Sequence, residues 1–318
     1  VGGDHHIICR TCDELSVSGY NVVHDPNYKN PYEIHQIGCS DCDFGFIDIA
    51  SIYLEEGKID ENSALLTDTI KIKDPEYVSV LATWPERWHE FAAFTQCGIM
   101  YGSWKTKDGN EGGKYEYRVR QISSYEEAVA ILEDYNEFVS HFVQVYKWKP
   151  VEVQLEYDEE HQYAELYYID TDQYKTYNKQ KKKLSDAEKA EVAEEVIGYT
   201  IQKWGLRDGM PTANILEYIY YMIWSDVAYY DQSLRYHSAF DGFAAHTCVC
   251  DGYSEMFLLY ADALGIQAEE VTGTMYGVGH AWNRVIFSDG SKWHLDITNG
   301  PILITDEELR EMGYKWKK

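Results

Sequence analysis

The stretch from His246 to Thr298 constrains this chain more than any other, because it dictates a helix followed by a tight hairpin and puts a thiol at the head of the helix. It opens "HTCVCDGYSEMF". Tyr253, Met256, Phe257, Tyr260, Ala261 and Leu264 recur at spacings of three and four, and Gly265 supplies a stop, so a helix is predicted to start at Cys250. A cysteine at the first helical turn faces the positive end of the macrodipole and N–H groups without intrahelical partners. Both favour a thiolate over a thiol. Cys250 is therefore the candidate nucleophile.

A thiolate nucleophile needs a base, and the base needs a group to orient it. The candidates downstream are His280 in "GHAWN" and Asp296 in "WHLDIT", on two strands joined by "SDGS". A two-residue turn at Asp289–Gly290 would set His280 opposite Asn299 and turn Asp296 to the other face. A three-residue loop, Ser288–Asp289–Gly290 with Gly290 in the left-handed region, sets His280 opposite Thr298. Asp296 then becomes a same-face diagonal neighbour at about 7 Å. The glycine stands where that loop requires one.

These residues carry a resemblance. "CVCDGYSEMFLLYADALGI", "GHAWNRV" and "KWHLDIT", in that order, resemble the three motifs of the transglutaminase-like superfamily, a papain-type thiol fold, and "YYDQSLRYHSAFDGF" resembles the lead-in to its cysteine helix. The likeness covers roughly residues 185–300. It implies Cys250 as nucleophile, His280 as base and Asp296 as the group that orients it. Cys248 departs from the pattern, standing where the family usually has glycine. It is read as a bystander, Tyr253 as core and Trp282 as a wall of the site. His294 is the competing base. The expected chemistry is acyl transfer through a thioester, with the Cys250 N–H and one upstream donor, Tyr229 or Tyr230, holding the oxyanion. Water resolves the thioester in a protease or amidase, and a lysine amine in a cross-linking transferase. The expected partner is a protein or peptide, cell-wall peptides included. The alternative is a non-catalytic binding or scaffold protein that retains the core. No cofactor is expected for catalysis.

The N-terminal stretch "HHIICRTC…HQIGCSDCDF" has a different signature. Two C-x-x-C pairs, Cys9/Cys12 and Cys39/Cys42, stand 26 residues apart, the spacing of a four-cysteine tetrahedral site, with His6 and His35 just ahead of each pair. Structural zinc is the expectation, and disulfides between the pairs are the competing reading if the protein is secreted. Cys97 stands alone. Between the knuckle and the thiol segment, "YVSVLAT" and the flanks of the loop at about 107–113 read as strands. "SSYEEAVAILEDYNEFVSHF" reads as a helix boxed by Ser123 and Glu126, and "VEVQLEY" with "AELYYID" as a hairpin around "DEEHQ". The run "TDQYKTYNKQKKK" reads as a polar linker, after which Ser185/Glu188 box a helix that stops at Gly205. The helix after Pro211 carries Ile215, Ile219, Met222 and Ile223 on one face.

The fold class expected is α+β: a zinc-ribbon-like module over 1–50, a mixed α/β region over 51–175, and a transglutaminase-like domain over 185–318 with a helical lead-in and an antiparallel sheet. Net charge of −26 argues against nucleic acid and anionic membranes as partners, and no apolar run reaches the roughly 20 residues of a membrane span. The chain begins at Val1, so a preceding segment, whether signal peptide, lipoprotein leader or cloning boundary, is expected to have been removed. A bacterial, extracellular or cell-surface protein is the expected setting, with cytoplasmic the alternative. Oligomeric state is not legible.

Overall fold

The computed structural model describes residues 39–40, 43–44, 49–105, 114–169, 173–229 and 236–317. A short ladder pairs β1 (Cys39–Ser40) with β2 (Asp43–Phe44). Cys9, Cys12 and Cys42 lie outside the described residues, as do His6 and His35, and only the backbone of Cys39 is described.

Next come α1 (Ile49–Glu55), α2 (Ala64–Thr67), a 3-10 turn (Val80–Thr83) and α3 (Glu86–Lys105). Two expectations are corrected here. "YVSVLAT" is not a strand: Ser79 Oγ caps the turn by accepting from Leu81 N–H at 3.1 Å, while Val78 and Val80 stay exposed. Local side-chain to backbone bonding outcompetes β-branched propensity where neither valine has a surface to bury against. The stretch after Pro85 is a 20-residue helix, with Trp88, Phe91, Thr95 and Ile99 buried at helical spacing. Proline suits the first turn of such a helix. The glycine-containing loop therefore leaves a helix, not a strand, before entering β3 (Lys114–Arg120).

Helix α4 (Tyr125–Tyr146) starts one residue later than its box predicts. Ser124, not Ser123, is the N-cap, accepting from Glu127 N–H at 3.2 Å, and the Glu127 carboxylate returns to Ser123. Either serine of the doublet satisfies the pattern, and packing of the apolar stripe selects the register. β4 (Gln154–Asp158) and β5 (Tyr163–Ile169) form the expected hairpin, and the antiparallel sheet runs β3-β5-β4.

The polar run read as a linker is instead α5 (Gln173–Lys181). Tyr177 is fully buried and donates to Asp241 Oδ1 at 2.9 Å, and Lys181 Nζ reaches the same oxygen at 2.7 Å. Two anchors four residues apart share one helix face, and polar composition hid them.

The C-terminal part holds α6 (Asp186–Lys203), α7 (Thr212–Asp226), β6 (Ala228–Tyr229), α8 (Ala239–Ala245), β7 (Thr247–Cys248) and α9 (Cys250–Ala263). The Ser185/Glu188 box is present. There follow β8 (Ala268–Met275), β9 (Val278–Ile286), β10 (Lys292–Leu295), β11 (Ile302–Ile304), α10 (Asp306–Glu311) and β12 (Tyr314–Trp316). These strands form an antiparallel sheet ordered β11-β10-β9-β8-β12.

One cluster of buried side chains runs from Ile49 to Leu303, so the segments 51–175 and 185–318 share a core. Trp148 Nε1 donates to Ala244 O at 3.1 Å and Tyr53 OH to Leu303 O at 3.0 Å across it. A second, smaller cluster joins Val271, Trp282, Ile304, Leu309 and Tyr314. Among the described residues no helix is long and apolar enough to cross a membrane.

Candidate active site

Cys250 opens α9 after an extended Val249, as the helix periodicity requires. The parallel pairing of β6 with β7 delivers the chain to that point, with Tyr229 beside Cys248 and Val249 N–H donating to Tyr236 O at 3.0 Å. Gly252 makes the approach possible. A Cβ there would meet Cys248 Cβ at 2.6 Å and Ser238 O at 3.1 Å, so a larger residue would push the helix head off β7. Cys248 is fully buried, and burial holds its thiol well above the ordinary value, in the unreactive form.

The hairpin takes the three-residue register. Phe287 N–H donates to Ser291 O at 3.0 Å, Gly290 has φ +84°, and Trp293 pairs with Val285 and Leu295 with Asn283. Extended, that register sets position 298 opposite His280. Ile286 N–H turns toward β8 and Phe287 N–H toward β10, so odd-numbered residues of β9 present their N–H groups to the β10 side. β10 ends at Leu295, however, and Asp296 N–H turns instead to Pro301 O at 2.7 Å. Ala281 N–H is thereby released from the ladder and donates to the Cys250 sulfur. The odd-numbered face packs on α9 through Asn283 Nδ2, which donates to Ser254 O at 3.1 Å. His280 and Trp282 stand on the opposite face, and the sulfur meets His280 where β10 is missing.

At that gap the Cys250 thiol hydrogen-bonds the His280 ring. His280 Nε2 pairs with Asp296 Oδ2 at 2.7 Å, which leaves Nδ1 for the sulfur. Burial opposes ionisation of the thiol, but the hydrogen bonds from His280 and Ala281 N–H outweigh it and hold the pKa below the ordinary thiol value. Burial opposes the imidazolium too, yet its bonds to Asp296 and Cys250 raise its pKa to about 9. Burial likewise disfavours the Asp296 carboxylate, and its hydrogen bonds, led by His280, keep it ionised below the usual carboxylate range. These directions favour the ion pair, a thiolate beside an imidazolium oriented by a buried anion, over the neutral pair.

The carboxylate has further partners that the sequence did not reveal. Thr298 donates to Oδ1 through its N–H at 3.0 Å and its hydroxyl at 2.7 Å, and Asn299 Nδ2 donates to Oδ2 at 3.0 Å. Tyr314 OH donates to the same Oδ2 at 2.6 Å. An Asp followed two residues later by Thr is an Asx-turn signal that could have found Thr298. No local signal points to Tyr314.

The other residues singled out fall elsewhere. His294 is fully buried but faces away from the thiol: Nδ1 accepts from Trp282 Nε1 at 3.0 Å and Nε2 meets Asp306 Oδ1 at 2.8 Å. Trp282 stacks beside His280, with ring centroids 5.9 Å apart. Tyr253 is buried and donates to Val227 O. Tyr229 packs its ring 6.0 Å from that of Tyr253, and Tyr230 lies outside the described residues. His237 Nδ1 pairs with Asp251 Oδ2 at 2.6 Å one residue beyond the thiol. A cavity of about 860 Å³ lies along α6 and α9, lined by Ile197, Phe240 and Leu259 among others, and none of Cys250, His280 and Asp296 lines it. Among the described residues no group of three or more His, Cys, Asp or Glu is arranged around a common point to hold a metal.

Residues 205–297 match the model of the transglutaminase-like superfamily. Solved structures similar to this chain include a candidate cysteine protease from Cytophaga hutchinsonii (16% identity, TM-score 0.31, 52% of this chain and 65% of that one). They also include a structure described as a TGase (14% identity, TM-score 0.32, 69% of this chain and 58% of that one). The chain spans less than two thirds of the length of either. No curated protein matches.

Proposed function

We propose that the transglutaminase-like domain performs thiol-dependent acyl transfer, with Cys250 as nucleophile, His280 as acid–base and Asp296 as the residue that orients it. The observation that carries this reading is the Cys250–His280–Asp296 chain of hydrogen bonds, with the thiol pKa lowered and the imidazole pKa raised. The thiolate attacks a carbonyl carbon. The Cys250 N–H, at the head of α9 with no intrahelical acceptor, holds the developing oxyanion in this reading. His280 delivers its proton to the leaving amine, a thioester forms on Cys250, and the neutral imidazole then deprotonates water or an incoming amine. Water gives peptide or isopeptide hydrolysis, and a lysine amine gives a cross-link. The substrate class is a protein or peptide, cell-wall peptides included.

The experiment is to incubate the protein with an activated acyl ester, quench in acid and measure the mass of the peptide carrying residue 250. An acyl adduct on Cys250, absent from Cys250→Ala, is expected. An unmodified Cys250, alkylated by iodoacetamide no faster than a free thiol at pH 6, would instead favour the scaffold reading, in which the triad is idle.

Structural zinc on Cys9, Cys12, Cys39 and Cys42 is proposed on their spacing. One equivalent of zinc per chain, lost in Cys39→Ser, is the expected metal analysis, and disulfides between the pairs would overturn it.

A further inference from the structure

Asp296 is held by a residue that lies outside the segment matched by the family model, which ends at residue 297. We infer that Tyr314, near the C-terminal end, is a positioning residue of the thiol site, its phenol fixing the Asp296 carboxylate so that Oδ2 faces the imidazole of His280. This rests on the proposed roles of Cys250 and His280.

The donors to Asp296 are of two kinds. Thr298 and Asn299 belong to the same turn as Asp296 and move with it. Tyr314 comes from β12, at the far edge of the sheet, separated from β9 by β8. Its side chain crosses the sheet face to place its hydroxyl 2.6 Å from Oδ2, the oxygen that His280 Nε2 meets at 2.7 Å. The phenol is buried, and its ring packs 5.2 Å from Trp282 and 6.0 Å from His280. His280, Asn299 and Tyr314 thus converge on one oxygen, and of the three only Tyr314 comes from outside both β9 and the Asp296 turn, so it fixes the rotation of the carboxylate from a separate element. Burial and the Asp296 charge hold the phenol well above its ordinary pKa, so it remains an O–H donor at any working pH.

The consequence is electrostatic as well as steric. A dry carboxylate relieved by an O–H donor holds a neighbouring imidazolium less tightly than a bare one. Tyr314 therefore keeps the His280 proton removable. The test is a titration of His280 by NMR on protein with ring-labelled histidine, alongside Cys250 alkylation by iodoacetamide. In Tyr314→Phe the His280 midpoint is expected to rise by about half a pH unit or more. Replacement of Tyr314 by 3-fluorotyrosine, a stronger donor of nearly the same size, should lower it, and carries the test if the Phe variant does not fold. Tyr53→Phe removes another buried hydroxyl, the one donating to Leu303 O, and should leave the midpoint in place. Midpoints unmoved in both Tyr314 variants, or moved in the same direction, overturn the inference. A wild-type Cys250 with the alkylation profile of a free thiol overturns the functional reading itself, whereas a reactive wild type with unmoved midpoints overturns only the role of Tyr314.

Discussion

His280 and His294 stand on the same face of one hairpin, each within 2.8 Å of a carboxylate, and their pKa values move in opposite directions. Burial depresses both. Around His280 the depression is overcome, because Asp296 is itself only 1% exposed and the second ring nitrogen meets a sulfur that can carry negative charge. Around His294 it prevails. Asp306 is 40% exposed, is shared with Arg310 at 3.0 Å and lies 4.0 Å from Arg284, while Nδ1 of His294 is occupied as an acceptor by the Trp282 indole N–H. Protonating Nδ1 would set two N–H groups against each other. A carboxylate contact alone therefore does not make an imidazole a base. The shielding of the carboxylate and the needs of the other nitrogen decide it.

The largest effect that tests this contrast is loss of each ring in turn. His280→Asn should slow Cys250 alkylation at pH 6 by about 100-fold or more, because an unassisted thiol is well under one per cent thiolate there. His294→Leu should leave the rate within about threefold and instead cost about 1–3 kcal/mol of stability, as the buried Trp282 N–H loses its acceptor. Equal rate losses in the two variants would erase the distinction.

Next in size is Asp296→Asn. The five hydrogen bonds drawn on this carboxylate mean that an amide NH2 must face a donor whichever way it turns. Alkylation at pH 6 should fall about tenfold or more, and the melting temperature should fall with it, by the equivalent of about 1–3 kcal/mol. Nearly isosteric replacement is not neutral here, contrary to what shape alone suggests.

A smaller effect concerns stability against pH. Taken alone, His280 contributes stability that is fully present below its unfolded value of 6.5 and is lost as pH rises through about 9. Cys250, with its pKa lowered, contributes stability present above its unfolded value of 9.0 and lost as pH falls through its folded value. The two slopes therefore oppose each other. Cys250→Ala removes the slope of the thiol and, with it, the sulfur contacts that help raise the His280 pKa, which leaves Asp296 to hold the proton. The stability difference between wild type and variant should grow by up to about 1 kcal/mol between pH 6.5 and 8.5 in denaturant titrations. A constant difference would mean that Asp296 alone does not hold a proton on His280. His294 acts on the acid side, where its lowered pKa means stability falls as pH drops below 6.5.

The smallest effect is Trp282→Phe. A ring remains to pack beside His280, while His294 Nδ1 loses its donor. The His294 midpoint should rise by a few tenths of a pH unit or more and that of His280 should hold still, both read by histidine NMR. Movement of His280 in its place would make Trp282 part of the thiol site.

How far each part could be read in advance depended on the range over which it is encoded. The start of α9 at Cys250, the Ser185/Glu188 box and the three-residue loop at Gly290 are set by spacings and turn chemistry within a few residues, and the sequence alone determined them. So did the face shared by His280 and Asp296, because strand alternation follows once the loop length is known. Helix α5 escaped notice because its packing rests on two residues, Tyr177 and Lys181, whose partner Asp241 is 60 or more positions away. Tyr314 escaped for the same reason: it is 18 residues from Asp296 and reaches it only after β12 has paired with β8. The sequence favoured His280 over His294 only through its place in the "GHAWN" motif, and the physical reason for the difference belonged to the tertiary structure. Each has a polar and aromatic neighbourhood in the sequence. Protonation follows from desolvation and from charges and donors brought in by distant elements, and these exist only once the chain has packed.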